Sequence, residues 1–325
     1  MPRSRLPPEV EGTVVTVGTF DGVHRGHRAV LREIEDRARS RGLRSVLVTF
    51  DRHPLTVVRP EEAPPLLTTP DEKKEILAQS GLDYVAFLPF TRSLSLYEPE
   101  EFVELVLVDR FRVKELVVGF DHGFGRSRSG DAGTLRTMGS ELGFEVDVVP
   151  EVTAEGDSVS STQIRRALEE GDVEEAARGL GRPYSIGGPV VHGQGRGKDL
   201  GFPTANLQPP EGGKLLPAAG IYAVRASLQS EIREGLLHLG PRPTFAGSPP
   251  SLELYLLDFD RDIYGERVRV DFLTRLREIL PFGSAVELVE QMREDREDAR
   301  TFFDARAEEP LPRWEELAPR GGAAG

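Results

Sequence analysis

The stretch TVVTVGTFDGVHRGH, residues 13–27, reads as a buried strand, a glycine-rich turn and the entrance of a helix, in that order. Thr13 to Val17 is an unbroken β-branched and apolar run, the pattern of a strand covered on both faces. Gly18, Gly22 and Gly26 follow it and allow close backbone approach and unusual dihedrals. From His27 to Arg41 the apolar Val30, Leu31 and Ile34 share one helical face, and Gly42 supplies the stop. A strand that enters a helix through such a turn is where a parallel α/β sheet binds phosphate, because free amides and the helix dipole favour an anion there. His24 and His27, three residues apart at that entrance, can both turn an imidazole toward one phosphate. Charge growing on an α-phosphate during in-line displacement needs fixed donors, and two histidines supply them without a covalent intermediate. The simpler alternative is two surface histidines beside a turn by chance; the strand, the three glycines and the helix together weigh against it. A zinc-binding pair on a helix prefers a spacing of four, and no third ligand is evident.

Outward from this stretch the same grammar repeats. Ser45 to Phe50, Tyr84 to Leu88 and Glu115 to Gly119 read as buried strands. Thr69-Pro70-Asp71-Glu72 has capping-box spacing with proline at the first helical position, predicting a helix through Leu77. Glu98 to Phe111 is a further helical candidate. Strands alternating with helices predict an α/β fold with a doubly wound parallel sheet, its ligands beyond the carboxyl ends of the strands. Near residue 182 the grammar changes: glycine and proline are frequent, and SIGGPVVHG, IYAVRASL, LELYLLDF and RVRVDFL read as antiparallel strands of a barrel or sandwich. An amphipathic helix from Ser284 to Phe303 closes that domain. The expected division is 1–181, 182–307 and a tail, 308–325, whose composition predicts disorder.

Composition narrows the function. At 325 residues two domains are the natural expectation. A net charge of −13 argues against general binding to nucleic acid or anionic membrane, so any phosphate chemistry rests on locally placed donors. The absence of cysteine removes disulfides, thiolate nucleophiles and zinc–thiolate sites, and agrees with a reducing cytosol. MPRSRLPPEVEG is followed by no apolar segment of a secretory signal, and no apolar run reaches membrane-spanning length, so a cytoplasmic, soluble protein is expected. Composition leaves the oligomeric state open.

Further candidates lie outside the opening stretch. Ser161, Thr162 and Arg165 stand at a helix start, where hydroxyls and an arginine can cap the helix or hold phosphates. Val118 to Gly125 is a glycine- and aromatic-rich loop whose Phe120 and Phe124 could flank a planar ring or lie in the core. Gly193 to Lys198 is a basic glycine-rich loop without Walker spacing. Thr204 and Asn206, two apart in extended chain, project to one face and offer oxygen ligands suited to Mg²⁺. Phosphoryl transfer to an alcohol also wants a carboxylate near the hydroxyl, and counting acids does not choose one.

The ordered motifs Gly-x-Phe-Asp-Gly-Val-His-x-Gly-His, Thr49-Phe50-Asp51-x-His53-Pro54 and Ser-Ser-Thr-x-Ile-Arg resemble the N-terminal half of bacterial bifunctional riboflavin kinase/FAD synthetases. The resemblance implies that His24 and His27 stabilise a transferring α-phosphate, with Gly18 and Phe20 at the nucleotide. It implies that Ser161, Thr162 and Arg165 hold the leaving pyrophosphate, and that His53, Pro54, Asp121 and Phe124 lie on the flavin side. Gly181-Arg182-Pro183-Tyr184, Gly201-Phe202-Pro203-Thr204-Ala205-Asn206, Arg242-Pro243-Thr244-Phe245, Glu253 and Tyr264-Gly265 are similar to the riboflavin kinase half, in order. There the resemblance implies a six-stranded antiparallel barrel, Thr204 and Asn206 on Mg²⁺-ATP, Gly195 and Gly197 at the nucleotide, and Glu253 as base on the ribityl 5′-hydroxyl. Thr19, His122, Gly123, His238 and Tyr255 depart from the usual pattern; His238 stands where asparagine is common. The implied substrates are riboflavin, FMN and ATP. The alternative is a monofunctional nucleotidylyltransferase with a degenerate flavin-binding second domain.

Overall fold

The computed structural model describes residues 6–119, 132–150, 153–154, 157–193, 200–229, 231–240 and 251–306. The chain forms two compact units, one ending at Ser161 and the other beginning at Thr162.

In the first unit β1 (Thr13–Val17), α1 (Arg25–Arg41), β2 (Arg44–Phe50), α2 (Leu55–Val58), α3 (Pro70–Leu77) and β3 (Tyr84–Leu88) follow one another. Next come α4 (Pro99–Phe102), β4 (Val113–Gly119), α5 (Ala132–Leu142), β5 (Glu145–Val149) and the short hairpin β6 (Thr153–Ala154) and β7 (Asp157–Ser158). The sheet order is β3-β2-β1-β4-β5, with every neighbour parallel. The order reverses between β1 and β4, which is where such a sheet opens a crevice. Both faces are covered. Val14, Leu47 and Val117 pack with Leu31, Ile34 and Leu77 of α1 and α3. Val15, Val17, Val46 and Val48 face the other way, onto Val103, Leu107, Leu135 and Met138. Burial on both sides is the reason the middle of the sheet carries apolar residues in succession, Val14–Val15, Val46–Val48 and Leu116–Val118, with no alternation.

The helix signals act as their chemistry dictates. Gly42 takes φ 65° at the end of α1, and Thr69 and Glu72 close a reciprocal capping box on α3. The helix expected over Glu98 to Phe111 is different: α4 stops at Phe102, and Val103–Val108 continues as a π-helix. The wider turn places Val103, Val106 and Leu107 on the sheet while Leu105 remains exposed.

The second unit opens with α6 (Ser161–Glu170) and α7 (Val173–Leu180); Ser161, the first residue of α6, closes the unit before it. Then come β8 (Tyr184–Val191), β9 (Ala205–Leu207), β10 (Gly220–Ser227), β11 (Ile232–Gly240), β12 (Ser251–Leu256), β13 (Arg267–Arg277) and α8 (Ala285–Asp304). The six strands close into an antiparallel barrel in the order β10-β11-β12-β9-β8-β13. Alternate residues such as Leu237, Leu239, Leu252 and Leu254 are buried, as barrel closure requires. On the outer surface Ala299 and Phe303 of α8 pack onto Ile221, Ala223 and Leu236. The unit begins some twenty residues before the division expected at 181/182, because α6 and α7 dock on the barrel: the Ala218 amide donates to the Leu168 carbonyl at 2.9 Å and Thr274 to Glu174 at 3.2 Å. The tail 308–325 lies outside the described residues.

Candidate active sites

The turn after β1 is built under strain. Phe20 (φ 48°) and Val23 (φ 42°) are left-handed non-glycine residues flanking Gly22 (φ 80°), a costly conformation for a β-branched side chain. Deep burial of Phe20 and Val23 holds it in place. Asp21 is the anchor: its buried carboxylate accepts from the Leu67 amide at 3.0 Å, the Thr68 amide at 3.1 Å and the Thr68 hydroxyl at 3.2 Å. The Asp21 carbonyl in turn accepts from Ser161 Oγ at 3.0 Å, which brings one of the expected phosphate-binding hydroxyls to this loop.

His24 is the N-cap of α1, its Nδ1 accepting from the His27 amide at 3.3 Å, so the helix starts at Arg25, two residues earlier than the apolar pattern suggests. The two imidazoles stack with centroids 3.6 Å apart and 22° between planes, and Phe20 lies 4.6 Å from His27 on the other side. Gly26 leaves room for this, since a Cβ there would sit 3.2 Å from the His24 ring. Burial, reinforced by His24 and Lys73, pushes the His27 pKa well below its ordinary value. A neutral ring stacked on another is the state that can offer an N–H at a helix N-terminus without accumulating charge before the anion arrives.

Beside this loop, at the carboxyl ends of β1 and β2, Thr19, Asp21, Asp51, His53, Thr68 and Lys73 line a cleft. Lys73 is buried and donates to the carbonyls of Thr19 at 3.1 Å and Phe50 at 2.8 Å, tying the two strand-end loops together. Burial lowers its pKa, opposed by Asp21 and Asp51. His53 Nδ1 accepts from the Leu55 amide at 3.2 Å, and Pro54 caps α2. Sequence reasoning missed Asp21 and Lys73, whose partners lie 23 to 54 residues away. Thr162 and Arg165 fall in the first turns of α6. Asp121, Phe124, His122 and Gly123 lie outside the described residues.

In the barrel, register assembles a row. Glu253 on β12 stands opposite Asn206 on β9 and, on its other side, opposite His238 on β11. Side chains so opposed have Cβ atoms about 4.5–5.5 Å apart on one face. Thr204 immediately precedes β9. The backbone of Gly193 crowds Asn206, leaving no space for a Cβ. Phe202 and Tyr255 lie with ring centroids 5.5 Å apart near the same strands. Burial lowers the pKa of His238, Glu253 opposing and Arg277 reinforcing that shift. Among the described residues no cluster of three or more His, Asp or Glu is placed to hold a metal. The hydroxyl and amide oxygens of Thr204 and Asn206 fit instead an ion that keeps waters and shares a nucleotide's phosphates. Gly195, Gly197 and Arg242 to Phe245 are outside the described residues.

A parallel sheet with donors at a helix entrance, followed by a barrel that pairs an amide with a carboxylate, suits a two-unit transferase of phosphorus groups. Family models agree: FAD synthetase matches residues 6–163 and riboflavin kinase residues 180–303. The bifunctional riboflavin kinase/FMN adenylyltransferase of Escherichia coli (strain K12) is 39% identical over 294 residues, covering 90% of this chain and 93% of its own. Those of Listeria monocytogenes and Bacillus subtilis are 38% and 33% identical, over 89% and 93% of this chain and 92% and 96% of theirs. The crystal structure of a macrolide-efflux protein from Streptococcus pneumoniae superimposes with a TM-score of 0.82 at 34% identity, covering 91% of this chain and 96% of that one. No helix among the described residues is long and apolar enough to cross a membrane. The chain belongs to the bifunctional riboflavin kinase/FMN adenylyltransferase family.

Proposed function

We propose that this protein makes flavin cofactors in the cytoplasm in two steps: riboflavin and ATP give FMN and ADP at residues 182–307, and FMN and ATP give FAD and pyrophosphate at residues 1–181. The opposition of Asn206 and Glu253 across β9 and β12 carries the reading, because it sets a metal-ligand amide beside a base, as phosphoryl transfer to an alcohol needs. In the first step Glu253 accepts the proton of the ribityl 5′-hydroxyl as that oxygen takes the γ-phosphoryl group and the β–γ bond breaks. Thr204 and Asn206 would hold Mg²⁺, which supplies neutralisation of phosphate charge when bound. Gly195 and Gly197 would serve the nucleotide, a role that rests on the family resemblance. In the second step an FMN phosphate oxygen displaces pyrophosphate from the α-phosphorus. His24 and His27 donate to the charge that grows there, while Gly18 and Phe20 shape the nucleotide site. Ser161, Thr162 and Arg165 steady the pyrophosphate; His53, Pro54, Asp121 and Phe124 hold the flavin. Neither step needs a covalent intermediate.

Incubation with riboflavin, ATP and Mg²⁺ followed by chromatography tests both steps. FMN without FAD defeats the first-unit assignment, and neither product defeats both. If Thr204→Ala leaves riboflavin phosphorylation unchanged, the kinase site assigned to Thr204 and Asn206 is wrong; FAD from supplied FMN with no phosphorylation of riboflavin by the wild type would make the barrel a flavin-binding appendage of a monofunctional nucleotidylyltransferase.

A further inference from the structure

His238 is a titratable side chain beside the proposed kinase base that the mechanism leaves unused. It stands on β11 directly across from Glu253. The ring is confined, with its Cε1–Nε2 edge so near Gly240 that a Cβ there would come within 2.9 Å. Its Nδ1 is buried and has no hydrogen-bond partner among the described residues. Buried nitrogens are seldom left unpaired without a functional reason. The groups around the ring leave few candidates. Across β10 the register contributes Ile221, and beyond it Arg277 of β13. Arg277 is a cation committed to Asp295 of α8 by bonds of 2.6 and 2.7 Å, and Gln291 also donates to that carboxylate. Across β12 stands Glu253, an acceptor with two oxygens. Burial keeps the imidazole in its neutral form, which has one N–H to give.

We infer that His238 is the positioning residue of the kinase base: its imidazole N–H holds one carboxylate oxygen of Glu253 during phosphoryl transfer, leaving the other to receive the hydroxyl proton. This rests on the assignment of Glu253 as base. A base held in this way has one oxygen aimed at the substrate; released, it samples orientations that are unproductive, so the rate of the chemical step falls while substrate binding does not.

The experiment uses the full chain as wild type, His238→Phe, His238→Asn, Glu253→Gln and the double variant His238→Phe/Glu253→Gln. FMN formation from riboflavin is measured at varied riboflavin and ATP, and FAD formation from supplied FMN serves as a check on each preparation. We expect His238→Phe to lower kcat for FMN formation roughly tenfold with both KM values within about twofold. His238→Asn, which keeps a short N–H donor without the ring, should recover most of that loss. In the Glu253→Gln background His238→Phe should cost nothing more; a purely structural role would subtract the same factor there too. The inference is overturned if His238→Phe keeps wild-type kcat, if His238→Asn falls as far as His238→Phe, or if the losses multiply in the double variant. If His238→Phe raises both KM values along with the loss of kcat, the role is structural and the inference also fails. Wild-type protein that makes no FMN defeats the kinase reading itself, whereas normal wild-type synthesis with an indifferent His238→Phe defeats this inference alone.

Discussion

Replacing Asp21 by alanine should uncouple the first unit's chemistry from the second's. The Asp21 carboxylate receives two backbone amides, Leu67 and Thr68, and the Thr68 hydroxyl, all at 3.0 to 3.2 Å in a buried setting. Without it two buried N–H groups lose their acceptor, at about 1–3 kcal/mol each. Allowing for water entering the vacated space, a loss of about 3 kcal/mol is expected. For a unit of this size each kcal/mol lowers the midpoint by about 2–4 °C, so a drop of about 6–12 °C follows. The strained turn should relax with it, because Asp21 pins the segment between Phe20 and Val23 to the loop before α3. Calorimetry resolving separate transitions checks the stability, since a two-unit chain is not two-state. FAD formation from supplied FMN should fall more than about tenfold, with FMN formation from riboflavin unchanged. A midpoint shift under about 1 °C with full FAD synthesis would refute the account of Asp21 as anchor.

Glu253→Gln should lower kcat for FMN formation by about 10²–10⁴ while FAD synthesis from FMN proceeds as before, measured on one preparation. Gly193→Ala places a Cβ 2.0 Å from Asn206 Nδ2, so the amide must move; riboflavin phosphorylation should fall about tenfold, and a wild-type rate would show that Asn206 is not held there. His27 gives a pH signature. Its folded pKa lies below its ordinary value of 6.5, so the unfolded chain binds the proton first. The contribution of His27 to the first unit's stability is therefore complete above about pH 6.5 and is lost as pH falls from there toward the folded value, at up to about 1.4 kcal/mol per pH unit. His27→Phe should flatten that slope in calorimetry between pH 6.5 and 5; an unchanged slope would place the acid sensitivity elsewhere.

Local chemistry explains what the sequence made legible. Apolar runs such as Thr13 to Val17, the Thr69–Glu72 capping box, the left-handed Gly42 and the Ser284 cap of α8 are written within a few residues of where they act. β5 escaped notice because Glu145 and Asp147 interrupt its apolar pattern; they are the partners of Arg41 and Arg37 on α1. β11 escaped because only its second half, Leu236 to Gly240, carries strand-like residues. The π-helix at Val103–Val108 follows from packing against the sheet, which no helical periodicity announces. In the sites, the histidine pair was visible because both rings sit on one turn. The neighbours Asn206 and Glu253 are 47 positions apart, and only strand register brings them together. Asp21 and Lys73 were hidden because their partners lie 23 to 54 residues away in the chain.

The shortness of β9 has a consequence for how the barrel is made. Its three residues pair with β12 on one side, and Asn206 and Leu207 pair with β8 on the other, holding Leu207 inward and Asn206 outward. A slip of one position would turn Leu207 to solvent and drive the amide into the oily interior, a state the barrel cannot tolerate. Correct closure is therefore its own inspection: a chain that has sealed its barrel has also mated donor and acid, and a mis-threaded one is exposed as unfolded material before it can act as a half-working enzyme.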